Sequence, residues 1–300
     1  MLSFIRRSST LATSRGLLSP AEFVKLRAGQ RVVALDATWY LPNAGRDGRA
    51  EFAQERLPGA RFFDIDAVKD TESPYPHMLP STATFSAAMG ALGVRADDTV
   101  VVYDKQGNFS APRLFWTLKV FQHPSVYLLD NYPAYKAAGY EVETGTPAEP
   151  APETYTAVGR DDDLVISFED LASIVREPLL RRQLAMVDAR PQARWAGAAP
   201  EPRPGLPSGH VPDSQSVPFT DVLDPETKQF LPAAELRRVF AARGVDGSRP
   251  VVAMCGTGVT ACILETALIK AGLTDKPIVV YDGSWTEWAQ RAPSAHIVSE

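Results

Sequence analysis

Four short stretches of this chain recur in the same order about 150 residues further along, the length of a domain rather than of a solenoid unit. Leu35-Asp36 returns as Met186-Val187-Asp188, and Arg56-Leu57-Pro58-Gly59 as Gly209-His210-Val211-Pro212. Val100-Val101-Val102-Tyr103-Asp104 returns as Val251-Val252-Ala253-Met254-Cys255, and Leu129-Asp130-Asn131-Tyr132 as Val280-Tyr281-Asp282-Gly283-Ser284-Trp285. A chain of 300 residues has room for two ordinary domains. The repeat makes them two copies of one architecture.

That architecture is legible in the first copy. Short apolar runs bounded by turn residues predict strands over 31–36, 62–66, 99–104 and 126–130. Helices are predicted over 83–92, stopping at Gly93, and over 110–121, with Pro112 tolerated in the first turn and Leu114, Phe115, Leu118 and Phe121 on one face. Alternating strands and helices imply an α/β fold, a mostly parallel sheet with helices on both faces. The expected division is a leader or tail over residues 1–20, a first domain over 21–143, a Pro- and Ala-rich linker over 144–160 and a second domain over 161–300. The folded part is expected to begin at Val32. The first twenty residues hold Arg6, Arg7 and Arg15, many Ser and Thr, and no acid. That composition is typical of a mitochondrial transit peptide and lacks the long apolar core of a secretory signal. It points to mitochondria, with the cytoplasm as a second location.

Composition excludes several classes. A net charge of -5 leaves no footprint for nucleic acid. The apolar runs are too short to span a bilayer. The only cysteines, Cys255 and Cys262, lie about two helical turns apart, too far for an easy disulfide. No Cys/His cluster has the spacing of a metal site, so neither a structural metal nor a cofactor is expected. Two free thiols suit a reducing compartment.

One of those thiols stands where chemistry is favoured. Val251-Val252-Ala253-Met254 reads as a buried strand running into Cys255, and Gly256-Thr257-Gly258-Val259-Thr260 follows as a tight loop. A helix then runs from Ala261 to Ala271 and stops at Gly272. Loop amides and a helix N-terminus favour an anion, and the thiolate is the nucleophilic form of cysteine. A lone cysteine reads as a small buried hydrophobe; one placed like this reads as a nucleophile. A phosphatase loop would carry an arginine six residues on, where Ala261 stands. In the first copy the same place holds Asp104 followed by Lys105-Gln106-Gly107. A carboxylate is no soft nucleophile, so the first domain is expected to be non-catalytic and to form a wall of the site.

The loop Cys255-Gly256-Thr257-Gly258-Val259-Thr260 resembles the active-site loop of the tandem-domain rhodanese superfamily, and within it the mercaptopyruvate sulfurtransferase branch. The thiosulfate branch carries basic side chains where this chain has Gly256 and Thr257. Tyr281 to Trp288 matches a C-terminal segment of the same superfamily, and its aromatics are read as packing. The resemblance covers nearly everything after the leader. It implies that Cys255 carries a persulfide cradled by Gly256, Gly258, Val259 and Thr260. It implies that Arg194 and Arg203, in Arg194-Trp195-Ala196-Gly197 and Glu201-Pro202-Arg203, hold the carboxylate and carbonyl of 3-mercaptopyruvate. Arg190, next to the strand-end Asp188, is read as structural. Asp64-Ile65-Asp66 and Ser73 to Pro80 resemble the segment that supplies an Asp and a His, here Asp66 and His77. Thr257 stands where a serine is frequent, completing a Cys255–Thr257–His77–Asp66 relay. Ser110-Ala111-Pro112-Arg113 also matches, with Phe109 where a tyrosine is frequent. The implied partners are a small sulfur donor (3-mercaptopyruvate, or thiosulfate as the alternative) and a thiol, reduced thioredoxin or cyanide as acceptor. A relay loaded by a partner protein for tRNA thiolation is the rival of another class. The expected assembly is a monomer or weak dimer, without nucleic acid or membrane. Cys262 is expected to be buried on its helix.

Overall fold

The computed structural model describes residues 14–300. Most of the leader reading, residues 1–13, lies outside the described residues. The first half runs β1 (Ser14–Leu18), α1 (Pro20–Gly29), β2 (Val32–Asp36), α2 (Gly48–Gln54), β3 (Glu55–Arg56), β4 (Arg61–Phe62), α3 (Thr82–Ala91), β5 (Thr99–Tyr103), α4 (Ala111–Val120), β6 (Ser125–Leu129), α5 (Tyr132–Ala137) and β7 (Glu143–Thr144). The second runs β8 (Val165–Ile166), α6 (Phe168–Arg176), α7 (Pro178–Arg181), β9 (Ala185–Asp188), α8 (Gln192–Trp195), β10 (Gln215–Ser216), α9 (Ala233–Ala241), β11 (Val251–Met254), α10 (Ala261–Lys270), β12 (Ile278–Tyr281) and α11 (Ser284–Arg291). Short 3₁₀ turns lie between some of them.

The two halves share one topology. The first sheet has the order β1-β6-β5-β2-β4 and the second β8-β12-β11-β9-β10, all pairs parallel. The repeat holds to the residue: Asp36 lies opposite Tyr103 as Asp188 lies opposite Met254. Cys255 and Asp104 are therefore true counterparts.

Alternate residues of each sheet enter different clusters, which is why helices cover both faces. Val33, Leu35, Val100, Val102 and Val126 pack with α3 and α4, whereas Ala34, Val101, Tyr103 and Leu129 pack with α1 and α5. In the second half Val251 and Ala253 join α9 and α10, and Val252 and Met254 join α6 and α11. The cluster holding α4 also holds α10, so the halves share a single apolar layer at their seam.

Two expectations need correction. The fold begins by Ser14, not at Val32. β1 pairs with β6 from Ser14↔Ser125 to Leu18↔Leu129, and Ser19 caps α1 in a capping box with Glu22. β1 is an edge strand whose Gly16, Leu17 and Leu18 are only half-buried, so it lacks the apolar run that marks a central strand. Its composition blends into the leader; the Ser19-to-Glu22 spacing was the available signal. The strand expected over 62–66 pairs only at Arg61–Phe62. Asp64 accepts from the amides of Asp66 and Ala67 at 2.9 and 3.2 Å, an Asx turn that ends the strand and turns Asp66 toward the site. Residues 145–161 carry no helix or strand. They are tied to the first half through Glu153 N–H to Gly90 C=O at 2.9 Å and through buried Tyr155, edge-on to Phe85.

Candidate active site

β11 delivers Cys255 at its C-terminal end with 2% of the residue exposed. The start of α11 grips the backbone there. Ser284 Oγ accepts from Cys255 N–H at 3.0 Å, Trp285 N–H donates to Cys255 C=O at 2.9 Å, and Thr286 donates to Gly256 C=O from both its amide and its hydroxyl. The segment from Tyr281 to Trp288, read from sequence as packing, therefore also fixes the backbone at Cys255.

The loop that follows has the form of an anion cradle, and the first half shows what such a loop binds. There the Asp104 carboxylate, almost fully buried, accepts from the amides of Gln106, Phe109, Ser110 and Ala111 at 2.7 to 2.9 Å. Phe109, Ser110 and Ala111 bracket the start of α4; their counterparts at the start of α10 are Val259, Thr260 and Ala261. Among the described residues, the amides from Gly256 to Ala261 donate to no protein acceptor. Thr260 caps α10 without a side-chain bond. A sulfur anion at Cys255 would meet the donors that a carboxylate meets in the first half. Gly258 has φ +75°, and a Cβ there would fall 2.5 Å from the Asp282 carbonyl oxygen, so only glycine fits.

The first half supplies an imidazole and a carboxylate to this loop. His77 Nδ1 lies 3.1 Å from Thr257 Oγ1, and Nε2 lies 2.9 Å from Asp66 Oδ1. Trp39 Nε1–H donates to the other Asp66 oxygen at 2.7 Å, and the Trp39 ring stands edge-on to the imidazole. A carboxylate can only accept, which assigns the Nε2–H tautomer and leaves Nδ1 to accept the Thr257 hydroxyl. Burial pushes His77 below the usual histidine pKa, against the opposing pull of Asp66. The bond from His77 holds the Asp66 carboxyl low. The structure thus brings Thr257, His77 and Asp66 together in one chain. Cys255 shares the loop of Thr257 but makes no hydrogen bond to it.

The arginines separate by their partners. Arg190 is buried and engages both Asp188 oxygens, Glu201 at 2.8 Å and Gly209 C=O at 2.7 Å, over the Trp285 ring. These partners tie it to the fold, and it also lines the cavity that holds Cys255. Arg194 gives one nitrogen to Glu201, while its buried Nε has no protein partner. Its Nη2 lies 3.3 Å from where a Cβ on Gly256 would stand. Arg203 makes no hydrogen bond or ion pair within the described residues. Burial lowers its pKa, and the Cys255 sulfur is the strongest opposing influence. A cavity of about 190 Å³ gathers Arg194, Arg203 and Cys255 under walls from Trp39, Phe109 and Phe219. That is space for a ligand of a few heavy atoms. A larger hollow of about 970 Å³ beside Glu51 and Lys105 contains neither cysteine.

Trp39, Phe219, Ser284, Asp282 and the bridging role of Glu201 were not identified from sequence. Trp39, Phe219, Asp282 and Ser284 lie far along the chain from the residues they meet, and only the tertiary fold unites them; Glu201 is near Arg190 and Arg194 in sequence, but no local pattern marks its bridge. Cys262 is buried in α10, and its Sγ donates to Gly258 C=O at 3.3 Å; burial pushes its thiol up. Both cysteines are free thiols. Among the described residues no group of three or more His, Cys, Asp or Glu is arranged to hold a metal ion, and no helix is long and apolar enough to cross a membrane.

The rhodanese-like domain model matches residues 19–136 and 170–291, once in each half. The chain belongs to the rhodanese family. It is 42% identical over 276 residues to the human 3-mercaptopyruvate sulfurtransferase, covering 91% of this chain and 90% of that one. It is 41% identical over 291 residues to the Saccharomyces cerevisiae thiosulfate sulfurtransferase TUM1, covering 92% and 95%. The crystal structure of Tum1 superposes with a TM-score of 0.90 at 39% identity, over 97% of this chain and 99% of that one. A sulfur transferase subunit of yeast mitochondrial complex I superposes with a TM-score of 0.85 at 43% identity, over 95% and 99%. Within the rhodanese fold, the second domain of this chain carries the cysteine loop and the first domain carries a carboxylate in its place.

Proposed function

We propose that this rhodanese-family enzyme moves sulfur from 3-mercaptopyruvate, through a persulfide on Cys255, to a thiol, reduced thioredoxin or cyanide, and releases pyruvate. The observation that carries this reading is one small cavity that gathers a buried thiol, the Arg194 and Arg203 guanidinium groups beside the ion-paired Arg190, and the end of a hydroxyl–imidazole–carboxylate chain.

Arg194 and Arg203 hold the substrate carboxylate and carbonyl, a match of planar forks to planar oxygens. The Cys255 thiolate attacks the substrate sulfur. An S–S bond forms, the C–S bond breaks, and its electron pair passes to carbon as the enolate of pyruvate. The proton that leaves the substrate thiol balances the one gained at carbon, and Thr257 with His77 and Asp66 carries it there. The persulfide anion then rests among the amides from Gly256 to Ala261. In the second half-reaction an acceptor nucleophile takes the outer sulfur and Cys255 leaves as thiolate, a ping-pong scheme.

The neutral Gly256-Thr257 pair supports the α-keto thiol acid over thiosulfate, a dianion that gains from basic neighbours. The TUM1 relative keeps thiosulfate as the second reading. A mitochondrial site of action, with a cytoplasmic pool, fits the acid-poor start of the chain and the mitochondrial relative. We hold the working unit to be a monomer or weak dimer, with both domains of one chain completing the cavity.

Single-turnover release of pyruvate from 3-mercaptopyruvate, beside sulfite from thiosulfate, tests the reading, with the persulfide followed by intact mass. Fast pyruvate and little sulfite are expected. The reverse would assign the two arginines to an inorganic dianion; neither product would move the assignment to a relay loaded by a partner protein. Arg203→Met and Arg194→Met are each expected to lower kcat/KM for 3-mercaptopyruvate about 100-fold, the scale of losing one charge partner in a desolvated site.

A further inference from the structure

We propose that Arg113 is a positioning residue for the transfer reaction, holding the His77 segment of the first domain in register with the cysteine loop of the second. The proposal rests on the relay reading given above and deepens it.

Arg113 sits in the first turn of α4 and is 3% exposed. One nitrogen, Nη2, donates to the His77 carbonyl. The other, Nη1, donates to the Gly258 carbonyl at 3.2 Å and pairs with Asp282 Oδ1 at 2.7 Å. The second Asp282 oxygen accepts from Leu79 N–H at 2.8 Å. One guanidinium and one carboxylate therefore join residues 77–79 to the loop that begins at Cys255. Both ends of this link are conformationally demanding. His77 has φ 63°, a region a non-glycine residue occupies rarely, and the bond to its carbonyl helps hold it there. Gly258 has no Cβ, and one placed there would lie 2.8 Å from Arg113 Nη1. The fork reaches the loop because the loop has no side chain at that point.

The relay needs this register. Thr257 and His77 come from different domains and meet across a single 3.1 Å contact. A shift of the two segments by a fraction of that length breaks it. The guanidinium also acts electrostatically: its charge is among the influences that lower the His77 pKa, favouring the neutral ring whose Nδ1 accepts from Thr257. An arginine supplies both geometry and charge; a lysine keeps the charge and loses the fork.

The test is pyruvate release as a function of pH for Arg113→Met, Arg113→Lys and the paired Arg113→Met/Asp282→Asn, with Arg113→Met repeated in a His77→Gln background. The paired variant removes both charges, so no buried carboxylate is stranded. Arg113→Met and the paired variant are expected to lower kcat about 100-fold, the scale of a misplaced catalytic geometry. KM, set by Arg194 and Arg203, should stay within about threefold of wild type by the same separation of roles. The acidic limb of kcat should move to higher pH in Arg113→Met, since a positive charge near His77 is gone, and should stay near wild type in the paired variant, where the opposite charge leaves with it. Arg113→Lys should keep the wild-type limb and recover part of kcat. On top of His77→Gln, Arg113→Met should cost less than about threefold, because the two act through one contact. Wild-type kcat in the folded paired variant, an unmoved limb in Arg113→Met, or a full additive loss in the His77→Gln background would overturn the proposal. His77→Gln with wild-type kcat would instead overturn the relay reading, and the positioning role with it.

Discussion

Cys255→Ser is expected to fold normally and to lose sulfur transfer by on the order of 10⁴-fold or more, the usual scale for deleting a nucleophile. The backbone bonds that place residue 255 involve its N–H and C=O and the neighbouring Gly256 carbonyl, not its sulfur. The loop and the start of α11 should therefore survive the change, with melting temperature nearly unmoved. What disappears is the soft, ionisable atom. A serine oxygen does not form a stable bond to a transferred sulfur under these conditions, so no gain of one sulfur atom should appear by intact mass. Cys262 offers no substitute: it is fully buried in α10, donates to the Gly258 carbonyl, and has its thiol form favoured by burial. Substantial turnover in Cys255→Ser would falsify the persulfide scheme. Retained turnover with sulfur carried at Cys262 would show the loop opening far more than its packing implies.

Much of the Cys255 half of this site was readable because it is local. Cys255, its glycines and the helix that follows form one continuous stretch, and each step from strand to loop to helix has a signal in residue type. The counterpart Asp104 was readable for the same reason, through the repeat. What the sequence could not show is how that carboxylate is held. Four amides close around Asp104, and that makes the first-domain loop a view of the anion cradle in its filled form. The resemblance to the family supplied His77 and Asp66, and the structure brings both to Thr257. Arg113 lay inside a stretch noted as matching, yet its role depends on Asp282, Gly258 and the His77 carbonyl, which converge only when two sheets and two helices have packed.

The fold was legible where strands are buried on both faces and illegible at the edges. β5 and β11 are unbroken apolar runs with almost no exposed surface. β1 is half-exposed and begins Ser-Arg-Gly, so pattern alone assigned it to the leader. β10 and β4 are two-residue pairings that carry no period at all. The duplication could have rescued β1, because β8 occupies the same edge in the second sheet.

The seam between the domains carries the other large effect. Lys119 of α4 and Glu265 of α10 meet at 2.5 Å with side chains 6% and 3% exposed. Lys119 Nζ also lies over the Phe115 ring, and the Thr266 hydroxyl reaches the second Glu265 oxygen at 3.5 Å. Each charge has its counterpart and little water. Lys119→Met alone leaves a carboxylate stranded in the shared apolar layer, and Glu265→Leu alone strands an ammonium. Either should destabilise the protein by about 3–5 kcal/mol, lowering the melting temperature by about 10 °C. The paired Lys119→Met/Glu265→Leu variant should recover most of that loss, because apolar side chains of similar volume fit the layer that Leu118 and Leu268 already occupy. Calorimetry and urea titration of the three variants check this, and single variants within about 1 kcal/mol of wild type would mean the pair is solvated. Function adds a second readout. The seam sets the distance between His77 and the Cys255 loop, but Lys119 and Glu265 touch neither. The paired variant should therefore keep wild-type kcat, and a stable paired variant with low kcat would show that the ion pair sets the domain register on which the relay depends.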